Sequence, residues 1–348
     1  MQIDINPFHP DQAAERDFDG FFELTIACIE ADNPRAQRPT PEAVVANLRV
    51  PMTTAGPSLF WTARHEDRLV GMADVHLPDA ENAHLATVRV SVEPRLRCRG
   101  IGTELLRAVL GQLGSHGRER MVGQGLTSGG AGELWAAALG FEVVHRYVTQ
   151  RLDAAEADPD LWQVSVPRGY RTHQWRGAAP DDLVESFVRA RAAVHDAPRG
   201  DASRQIPDWT VERMRQEEAD FRERAFDYFV VAVSWAGGEE VVGFTEMLVH
   251  PNEPTLAMQQ YTAVMPTHRG HGLGRVLKTE MMRWLLAESK EVTTVTTTTG
   301  ASNVHMRQVN ELLGYSTIRE AAVVEGDVRA VTARLTRVDS DQASCVAP

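Results

Sequence analysis

The stretch Thr262-Ala-Val-Met-Pro-Thr-His-Arg269-Gly-His-Gly272-Leu-Gly274 has a close counterpart in the first half of this 348-residue chain. The counterpart is Val90-Ser-Val-Glu-Pro-Arg-Leu-Arg97-Cys-Arg-Gly100-Ile-Gly102, so the two arginines (97 and 269) lie 172 residues apart. A second pair, Leu139-Gly140-Phe141 and Leu313-Gly314-Tyr315, recurs at a spacing of 174 residues. Because two different motifs recur in the same order at nearly one spacing, the chain is predicted to contain two copies of one domain.

Each copy is predicted to hold the same order of elements, which indicates an α/β (α+β) fold. Apolar residues run together or alternate in short stretches, as in strands, and recur every three or four residues in longer ones, as in helices. The predicted strands are 59–65, 69–77, 84–92, 121–126 and 141–152 in the first copy, and 228–235, 241–250, 256–264 and 292–299 in the second. The predicted helices are 17–31, one from Ile101 and 133–139 in the first copy, and 181–194, one over 273–285 and 303–313 in the second.

These elements divide the chain into two predicted domains. The first spans 1–152 and the second 169–338, and the proline-containing Ala/Asp/Glu stretch after residue 152 predicts a linker over 153–168. The polar residues 339–348 are expected to form a flexible tail.

Composition excludes several classes of protein. There are 36 Lys+Arg and 48 Asp+Glu residues, so the net charge of −12 argues against a nucleic-acid partner. No apolar run reaches the ~18 residues of a membrane span, and the first residues lack the basic and apolar parts of a signal peptide, so a cytoplasmic location is expected. The three cysteines, Cys28, Cys98 and Cys345, show no metal-binding or disulfide spacing, and no metal site is predicted.

The glycine motif has the features of an anion site. Pro266 helps to end the preceding strand, the glycines permit positive φ angles and close approach of a ligand, and a helix begins directly after them. The first N–H groups of a helix have no internal partner, and together with the helix dipole they suit a pyrophosphate. A simple tight turn is the alternative. A dinucleotide-binding fold is disfavoured, because Leu105 and Leu277 occupy the third glycine position that it requires.

On these residues, both halves resemble the GNAT superfamily of N-acetyltransferases. The family signature of a strand, Arg/Gln-x-x-Gly-x-Gly/Ala and a helix is matched once in each copy, and the likeness covers about 3–152 and 170–335. The run His268–Gly274 and the later Asn303-x-x-Met306-x-x-x-Asn310-x-x-Leu-Gly-Tyr315 are similar to tandem members of actinobacterial type.

The resemblance implies a mixed, mostly antiparallel, splayed sheet flanked by helices in each domain, with acetyl-CoA as acetyl donor. It implies that the second copy binds the cofactor through Thr262, Ala263, Val264, Arg269, Gly270, His271, Gly272, Leu273, Gly274, Arg275 and Asn303. The corresponding residues of the first copy are Val90, Ser91, Val92, Arg97, Cys98, Arg99, Gly100, Ile101, Gly102 and Thr103.

The two copies keep the family pattern unequally. Gly129 stands in the first copy where the second has Asn303, so we expect the second copy to carry the chemistry and the first to be degenerate or structural. The tyrosine that protonates the leaving thiolate in many members falls in register with Asn310 and Ala136, neither of which is an acid. Tyr261, another tyrosine, water or no group at all remain open as the proton donor.

Glu246 is the candidate base that would take the proton of the attacking amine. It lies in the middle of an otherwise apolar strand, where an acidic residue favours a functional role. The alternative is a glutamate on the solvent-facing side of the strand. His250 is a weaker candidate. No Ser-His-Asp or Cys-His arrangement is present, and direct attack of an amine on a thioester needs none.

Acidic residues are concentrated over 196–227, a region that in this superfamily helps to form the acceptor site. An acidic entrance to the acceptor site would attract cationic amines. Arginines are interleaved with these acidic residues, so a solvated helix is the alternative. The expected function is therefore acetyl-CoA-dependent acetylation of a primary amine on a small, cationic antibiotic or metabolite, with antibiotic resistance as a role by analogy, by a monomer or homodimer that binds neither nucleic acid nor membrane. The alternatives are a mycothiol-synthase-like enzyme, a peptide or protein amine acetyltransferase, and a non-catalytic acyl-CoA-binding sensor.

Overall fold

The computed structural model describes residues 1–49, 56–237 and 240–344. In chain order its helices and strands are β1 (Asp4–Phe8), α1 (Glu15–Asp32), α2 (Pro41–Arg49), β2 (Ser58–His65), β3 (Arg68–His76), β4 (Leu85–Val92), α3 (Ile101–Leu113), β5 (Arg120–Thr127), α4 (Ala131–Ala138), β6 (Glu142–Asp153), β7 (Tyr170–Arg176), α5 (Val184–Arg191), α6 (Val211–Glu223), β8 (Asp227–Trp235), β9 (Val241–Val249), β10 (Leu256–Val264), α7 (Leu273–Glu288), β11 (Thr294–Gly300), α8 (Val304–Leu312), β12 (Ser316–Asp327) and α9 (Val328–Ser344).

The chain forms two compact units, each assembled from separate segments. The first contains Met1–Arg146, Gly200–Gln205 and Arg319–Pro348, and the second contains Tyr147–Arg199 and Ile206–Ile318. In each unit a mixed, mostly antiparallel sheet is flanked by helices, which confirms the predicted fold class.

In the first unit the strand order is β1-β2-β3-β4-β5-β12. Only β4 and β5 are parallel among these pairs, and they pair from Leu85↔Arg120 to Thr87↔Val122, so the rest of β4 lies beyond the end of that ladder. The apolar stripe of α3, including Leu105, Leu106 and Val109, is buried against this sheet. That stripe recurs at helical spacing, which is why the sequence predicted the helix correctly.

In the second unit the order is β6-β11-β10-β9-β8-β7. Among the described pairs of this unit, β10 and β11 are parallel, and their ladder extends from Leu256↔Thr294 to Gln259↔Thr297. Between β10 and β9 the register is irregular from Gln259 to Thr262. The strands β10 and β11 therefore separate where β10 changes register, and α7 packs its buried residues Leu277, Met281 and Leu285 below them.

The strand that closes each sheet comes from the other half of the sequence. Residues 147–153 of β6 pair with β11 in the second unit, and residues 321–327 of β12 pair with β5 in the first. The units are thus not the contiguous halves 1–152 and 169–338 expected from the sequence. An alternating strand pattern specifies which face is buried but not which of two similar sheets the strand joins.

The C-terminal segment also differs from the expectation of a flexible tail. The helix α9 continues through residues 339–344, and its Val328, Val331 and Leu335 are buried in the core of the first unit. The remainder of that predicted tail, 345–348 with Cys345, lies outside the described residues. Among the helices described, none is both long and apolar enough to cross a membrane.

Candidate active site

The glycine loop of the second unit leaves open space in front of the start of α7. Gly270 and Gly272 have φ angles of +82° and +72°, a region that side chains disfavour, and Gly272 is the N-cap residue of the helix. A Cβ atom placed on Gly270, Gly272 or Gly274 would have no described neighbour within 4 Å. The free N–H groups of the first helical turn can therefore be approached by an anion of the size of a pyrophosphate.

The first unit repeats this loop with two differences. Gly100 is the N-cap of α3 with a φ of +84°, but Cys98, at the position of Gly270, holds a φ of +57° without being glycine. A Cβ atom on Gly102 would lie 3.6 Å from the indole of Trp135, whose Nε1 donates to Thr103 Oγ1 at 3.4 Å. The indole of Trp135 on α4 thus contacts α3. The corresponding space at Gly274 of the second unit is open.

The motif arginines tie the loop back to the preceding strand. Arg269 Nε donates to the carbonyl of Val264 at 2.9 Å, and its Nη2 donates to Asp196 Oδ2 at 2.6 Å. Arg97 makes the same pair of contacts, with the carbonyl of Val92 at 3.2 Å and with both carboxylate oxygens of Asp32 at 2.7 Å. Their side chains brace the loop, and direct contact with phosphate stays a prediction.

The predicted arm-binding residues Thr262, Ala263 and Val264 lie past the end of the β10–β11 ladder. They pair with β9 opposite Thr245, Phe244 and Gly243, whereas the described ladder with β11 ends at Gln259. Asn303 is the N-cap of α8, and its Oδ1 accepts the N–H of Met306 at 3.2 Å. Its side chain therefore caps the N-terminus of α8. Contact of Asn303 with the cofactor stays a prediction.

Asn310, in register with the family's proton-donating tyrosine, is a buried structural amide. Its Nδ2 donates to Gln150 Oε1 at 2.8 Å and to Thr299 Oγ1 at 3.3 Å. Gln150 belongs to β6, the strand that the sequence assigned to the other copy. The amide therefore helps to hold this strand against β11 and α8.

Glu246 lies on the opposite face of the sheet from α7 and is 2% exposed, so the alternative of a solvent-facing glutamate is wrong. Its Oε1 accepts hydrogen bonds from Arg191 Nη1 at 2.7 Å and from Tyr228 Oη at 2.6 Å. Burial raises the pKa of Glu246, while Arg191 and the Tyr228 hydroxyl act in the other direction. Arg191 is itself 1% exposed, and the ring centroid of Trp209 lies 3.7 Å from its Cζ.

Tyr261 and His250, the other sequence candidates, occupy different surroundings. Tyr261 is 41% exposed, with its ring centroid 5.7 Å from Arg191 Cζ, so it belongs to the Arg191 cluster rather than the core. His250 is buried at the end of β9, where its Nδ1 accepts the N–H of Asn252 at 3.0 Å and its ring packs on Phe226. The structure therefore brings Tyr261 and Glu246 together through Arg191 and assigns His250 to a turn.

Glu217 is a member of this cluster that sequence reasoning did not single out. It lies on α6 with its side chain 17% exposed, and its Oε2 is 3.1 Å from Arg191 Nη1. Burial raises the pKa of Glu217 to about 7, with Arg191 lowering it and Glu246 raising it further. The sequence placed Glu217 among nine acidic residues over 196–227, and nothing in the local pattern distinguished it from the others.

A second polar network lies on the α7 face of the same sheet. Lys278 Nζ donates to Gln259 Oε1 at 2.6 Å, and Gln259 Nε2 donates to Thr245 Oγ1 at 3.0 Å. Thr245 Oγ1 lies 2.7 Å from Thr262 Oγ1 at the point where β10 and β11 separate. Burial lowers the pKa of Lys278 to about 7. The two networks thus meet the irregular part of β10 from its two faces.

No described group of three or more His, Cys, Asp or Glu side chains is arranged to hold a metal ion. The polar groups near the separated strands include the carboxylates of Glu217 and Glu246, the hydroxyls of Thr245 and Thr262, and the buried cations Arg191 and Lys278.

Comparison with known proteins agrees with the repeat. The model of the acetyltransferase (GNAT) family matches residues 19–141 and again 193–315. The chain is 28% identical over 260 residues to the mycothiol acetyltransferase of Nocardia farcinica, covering 74% of this chain and 78% of that protein. It is 27% identical over 297 residues to the mycothiol acetyltransferase of Acidothermus cellulolyticus, covering 82% and 85% of the two chains.

Solved structures show the same architecture. A tandem GNAT protein from the clavulanic acid biosynthesis pathway superposes with a TM-score of 0.77 at 25% identity, covering 94% of this chain and 99% of that one. A GCN5-related N-acetyltransferase from Sphaerobacter thermophilus superposes with a TM-score of 0.71 at 16% identity, covering 94% and 96%, which is a likeness of fold alone.

Proposed function

Because the chain belongs to the acetyltransferase (GNAT) family, we propose that it transfers the acetyl group of acetyl-CoA to a primary amine of a small, cationic antibiotic or metabolite. The observation that carries the proposal is the buried carboxylate cluster around Arg191, which lies beside the irregular part of β10, past the end of the β10–β11 ladder. A carboxylate-rich site at the place where the strands separate favours an acceptor with an ammonium group.

The second unit is the proposed site of cofactor binding. Its residues fit the group, because the N–H groups of α7 face open space at Gly272 and Gly274, and Thr262–Val264 offer a strand edge beyond the ladder. Acetyl-CoA supplies an acetyl group activated as a thioester. Arg269 and Asp196 hold the loop in shape, and the N–H groups near Val264 would stabilise negative charge on the reacting carbonyl oxygen.

The first unit is proposed to play a structural part. Its loop has the same backbone shape, but a Cβ atom on Gly102 would meet the indole of Trp135 and the side chains of Val90 and Val92 within 3.7 Å, where the arm of a cofactor would run. We therefore propose that residues Val90–Val92 and Arg97–Thr103 keep the geometry of the loop but do not bind acetyl-CoA. Each chain would then bind one cofactor.

The candidate catalytic residues keep separate proposed roles. Glu246, fixed by Arg191 and Tyr228, contributes negative charge beside the acceptor amine. Tyr261, exposed at the rim of the cluster, contacts the acceptor with its ring or hydroxyl. A thiol such as that of CoA has a pKa of roughly 8.5, so its thiolate can leave without a dedicated general acid. No proton-donating role is therefore proposed for Asn310.

A mycothiol-type acceptor is the second candidate, and the identity to two mycothiol acetyltransferases over most of the chain favours it. A role in antibiotic self-protection or tailoring is proposed by analogy alone.

Thiol release from acetyl-CoA, measured with a panel of amines, tests the proposal. The panel contains spermidine, kanamycin, glucosamine, cysteinyl-glucosamine and a short peptide with a free N-terminus. We expect a cationic small molecule to give the highest kcat/KM, and cysteinyl-glucosamine to lead if the second candidate is right. Release at background with every amine, while acetyl-CoA still binds, would favour a non-catalytic acyl-CoA sensor.

A further inference from the structure

The two carboxylates that face Arg191 differ in how they are held. Glu246 Oε1 accepts hydrogen bonds from Arg191 and Tyr228 and is almost without exposure. Glu217 Oε2 lies within ion-pair distance of Arg191 Nη1, at 3.1 Å, but accepts no hydrogen bond from the described residues. One buried guanidinium thus serves two carboxylates. It makes a well-formed hydrogen bond to Glu246 at 2.7 Å, whereas Glu217 Oε2 at 3.1 Å has no hydrogen bond of comparable geometry.

Glu217 is also the carboxylate on the accessible side of the cluster. Its side chain is 17% exposed against 2% for Glu246. The guanidinium between them is covered by the rings of Trp209 at 3.7 Å and Tyr261 at 5.7 Å. Two ionised carboxylates around one guanidinium leave the cluster with one negative charge, which favours an ammonium group.

The cluster lies at the part of β10 where the strands separate. On β9, Thr245 pairs with Thr262 and Met247 pairs with Gln259, so Glu246 between them faces the irregular residues 260 and 261. The guanidinium of Arg191 joins this point to Glu217 on α6. An amine held by Glu217 is therefore adjacent to the proposed place of the thioester.

We propose that Glu217 binds the ammonium group of the acceptor and takes its proton, with Arg191 and Glu246 as positioning residues. This proposal rests on the function proposed above and names the residue that activates the acceptor. The groups that face Glu217 are Arg191 from α5, Glu246 from β9, Tyr228 from β8 and Glu218 from its own helix. Glu218 is itself engaged by Arg215 Nη1 at 2.8 Å and by the N–H of Ala179 at 2.8 Å.

The proton balance is simple. The acceptor ammonium gives one proton to the Glu217 carboxylate, which frees the nitrogen lone pair. The lone pair forms the bond to the acetyl carbonyl carbon, and the carbon–sulfur bond breaks with its electrons on sulfur. A second proton from the nitrogen neutralises the thiolate, so the products are an amide, a thiol and the proton that Glu217 returns to solvent.

The pH dependence of kcat/KM for the best amine of the panel tests this assignment. In the wild-type protein we expect an acid limb with an inflection near pH 7, followed by a plateau up to the pKa of the amine. In Glu217→Gln we expect ~10²–10⁴-fold lower kcat/KM at pH 7. The variant should also rise tenfold per pH unit through the former plateau, because only the free amine then reacts. Glu217→Asp should keep the acid limb, and Glu311→Gln, at an exposed glutamate of α8, should match the wild type.

A binding measurement gives a result that does not depend on turnover. Spermidine is titrated into the protein saturated with CoA at pH 7, in buffers of different ionisation enthalpy. We expect the wild type to release a fraction of a proton on binding, because Glu217 must ionise to hold the ammonium, and Glu217→Gln to release none. Unchanged acetyl-CoA affinity in the variant shows that it is folded.

These results separate the two proposals. Turnover that is unaffected by Glu217→Gln, with the inflection near pH 7 retained, overturns the role of Glu217 and leaves the function standing. No turnover with any amine, together with spermidine binding whose proton release depends on Glu217, overturns the function and supports the ammonium site. Absence of both turnover and Glu217-dependent binding overturns both.

Discussion

Arg269 Nη2 donates to Asp196 Oδ2 at 2.6 Å, while its Nε donates to the carbonyl of Val264, so one side chain connects the glycine loop, the end of β10 and the segment after α5. The first repeat has the same connection between Arg97 and Asp32. Because the same arginine–aspartate ion pair is present in both copies, we infer that it is part of the structure of the loop. It links the positive-φ loop to the preceding strand, and the N–H groups at the start of the helix are the proposed anion site.

Asp196→Ala is expected to weaken acetyl-CoA binding several-fold without removing a group that contacts the cofactor. The ion pair is half exposed, so its loss should lower the free energy of unfolding by only about 0.2–1 kcal/mol. Calorimetric titration of acetyl-CoA measures the first effect and urea denaturation the second. Asp32→Ala in the first repeat is the matched control and should leave turnover unchanged. An unaltered dissociation constant in Asp196→Ala would show that the loop needs no brace.

Gly272→Asp is expected to abolish both acetyl-CoA binding and thiol release. The new side chain would find room, since a Cβ atom there has no described neighbour within 4 Å, but it places a carboxylate where a pyrophosphate is proposed. Its φ of +72° adds a strain of about 1–2 kcal/mol, which the fold can bear.

Gly100→Asp repeats this change in the first copy, at a φ of +84° and with equally open space. It carries the same strain but should leave turnover at the wild-type level, because the second unit is the proposed active unit. Equal loss of activity in both variants would contradict the assignment of the chemistry to one unit.

The features that the sequence predicted correctly are those written in a few neighbouring residues. A glycine with positive φ followed by an apolar helical stripe specifies a loop and a helix wherever it occurs, and two such stretches reveal the repeat. The partner of β6 and the position of Asn310 depend on contacts between distant segments, such as the bond from Asn310 to Gln150 across 160 residues. Arg191, Glu217 and Glu246 likewise come from three separate elements, so their meeting could not be read from spacing.

Trp135→Val is expected to open a second cofactor site. Under the 174-residue spacing of the later motif, Trp135 corresponds to Val309, so the change gives the first copy the residue of the second. Removal of the indole frees the space beside Gly102 that it fills at 3.6 Å. Calorimetry should then report two molecules of acetyl-CoA per chain instead of one. In the Gly272→Asp background, Trp135→Val should restore a single binding event, and failure to do so would mean that the first loop is closed for another reason.

Lys278→Met is expected to stabilise the protein at pH 7 by up to about 4 kcal/mol, at ~1.36 kcal/mol per pKa unit, with a gain that falls as the pH rises. Burial lowers the pKa of Lys278 to about 7, whereas an unfolded lysine has a pKa of roughly 10.4. Between these values the unfolded chain binds the extra proton, so the free energy of unfolding of the wild type increases with pH. Below pH 7 the buried amine is charged in both states and its full cost is present. Gln259 Oε1 keeps the Tyr315 hydroxyl as a donor at 3.2 Å after the lysine is removed. Urea denaturation at pH 7, 8 and 9 should therefore show a pH-dependent difference in the free energy of unfolding between wild type and variant.

The matched control is Lys290→Met, at an exposed residue that is the only other lysine of the chain. We expect this control to change the free energy of unfolding by no more than about 0.5 kcal/mol at every pH. A constant difference across this range would mean that Lys278 stays protonated in the folded protein, with Gln259 and the ring of Tyr315 sufficient to hold its charge.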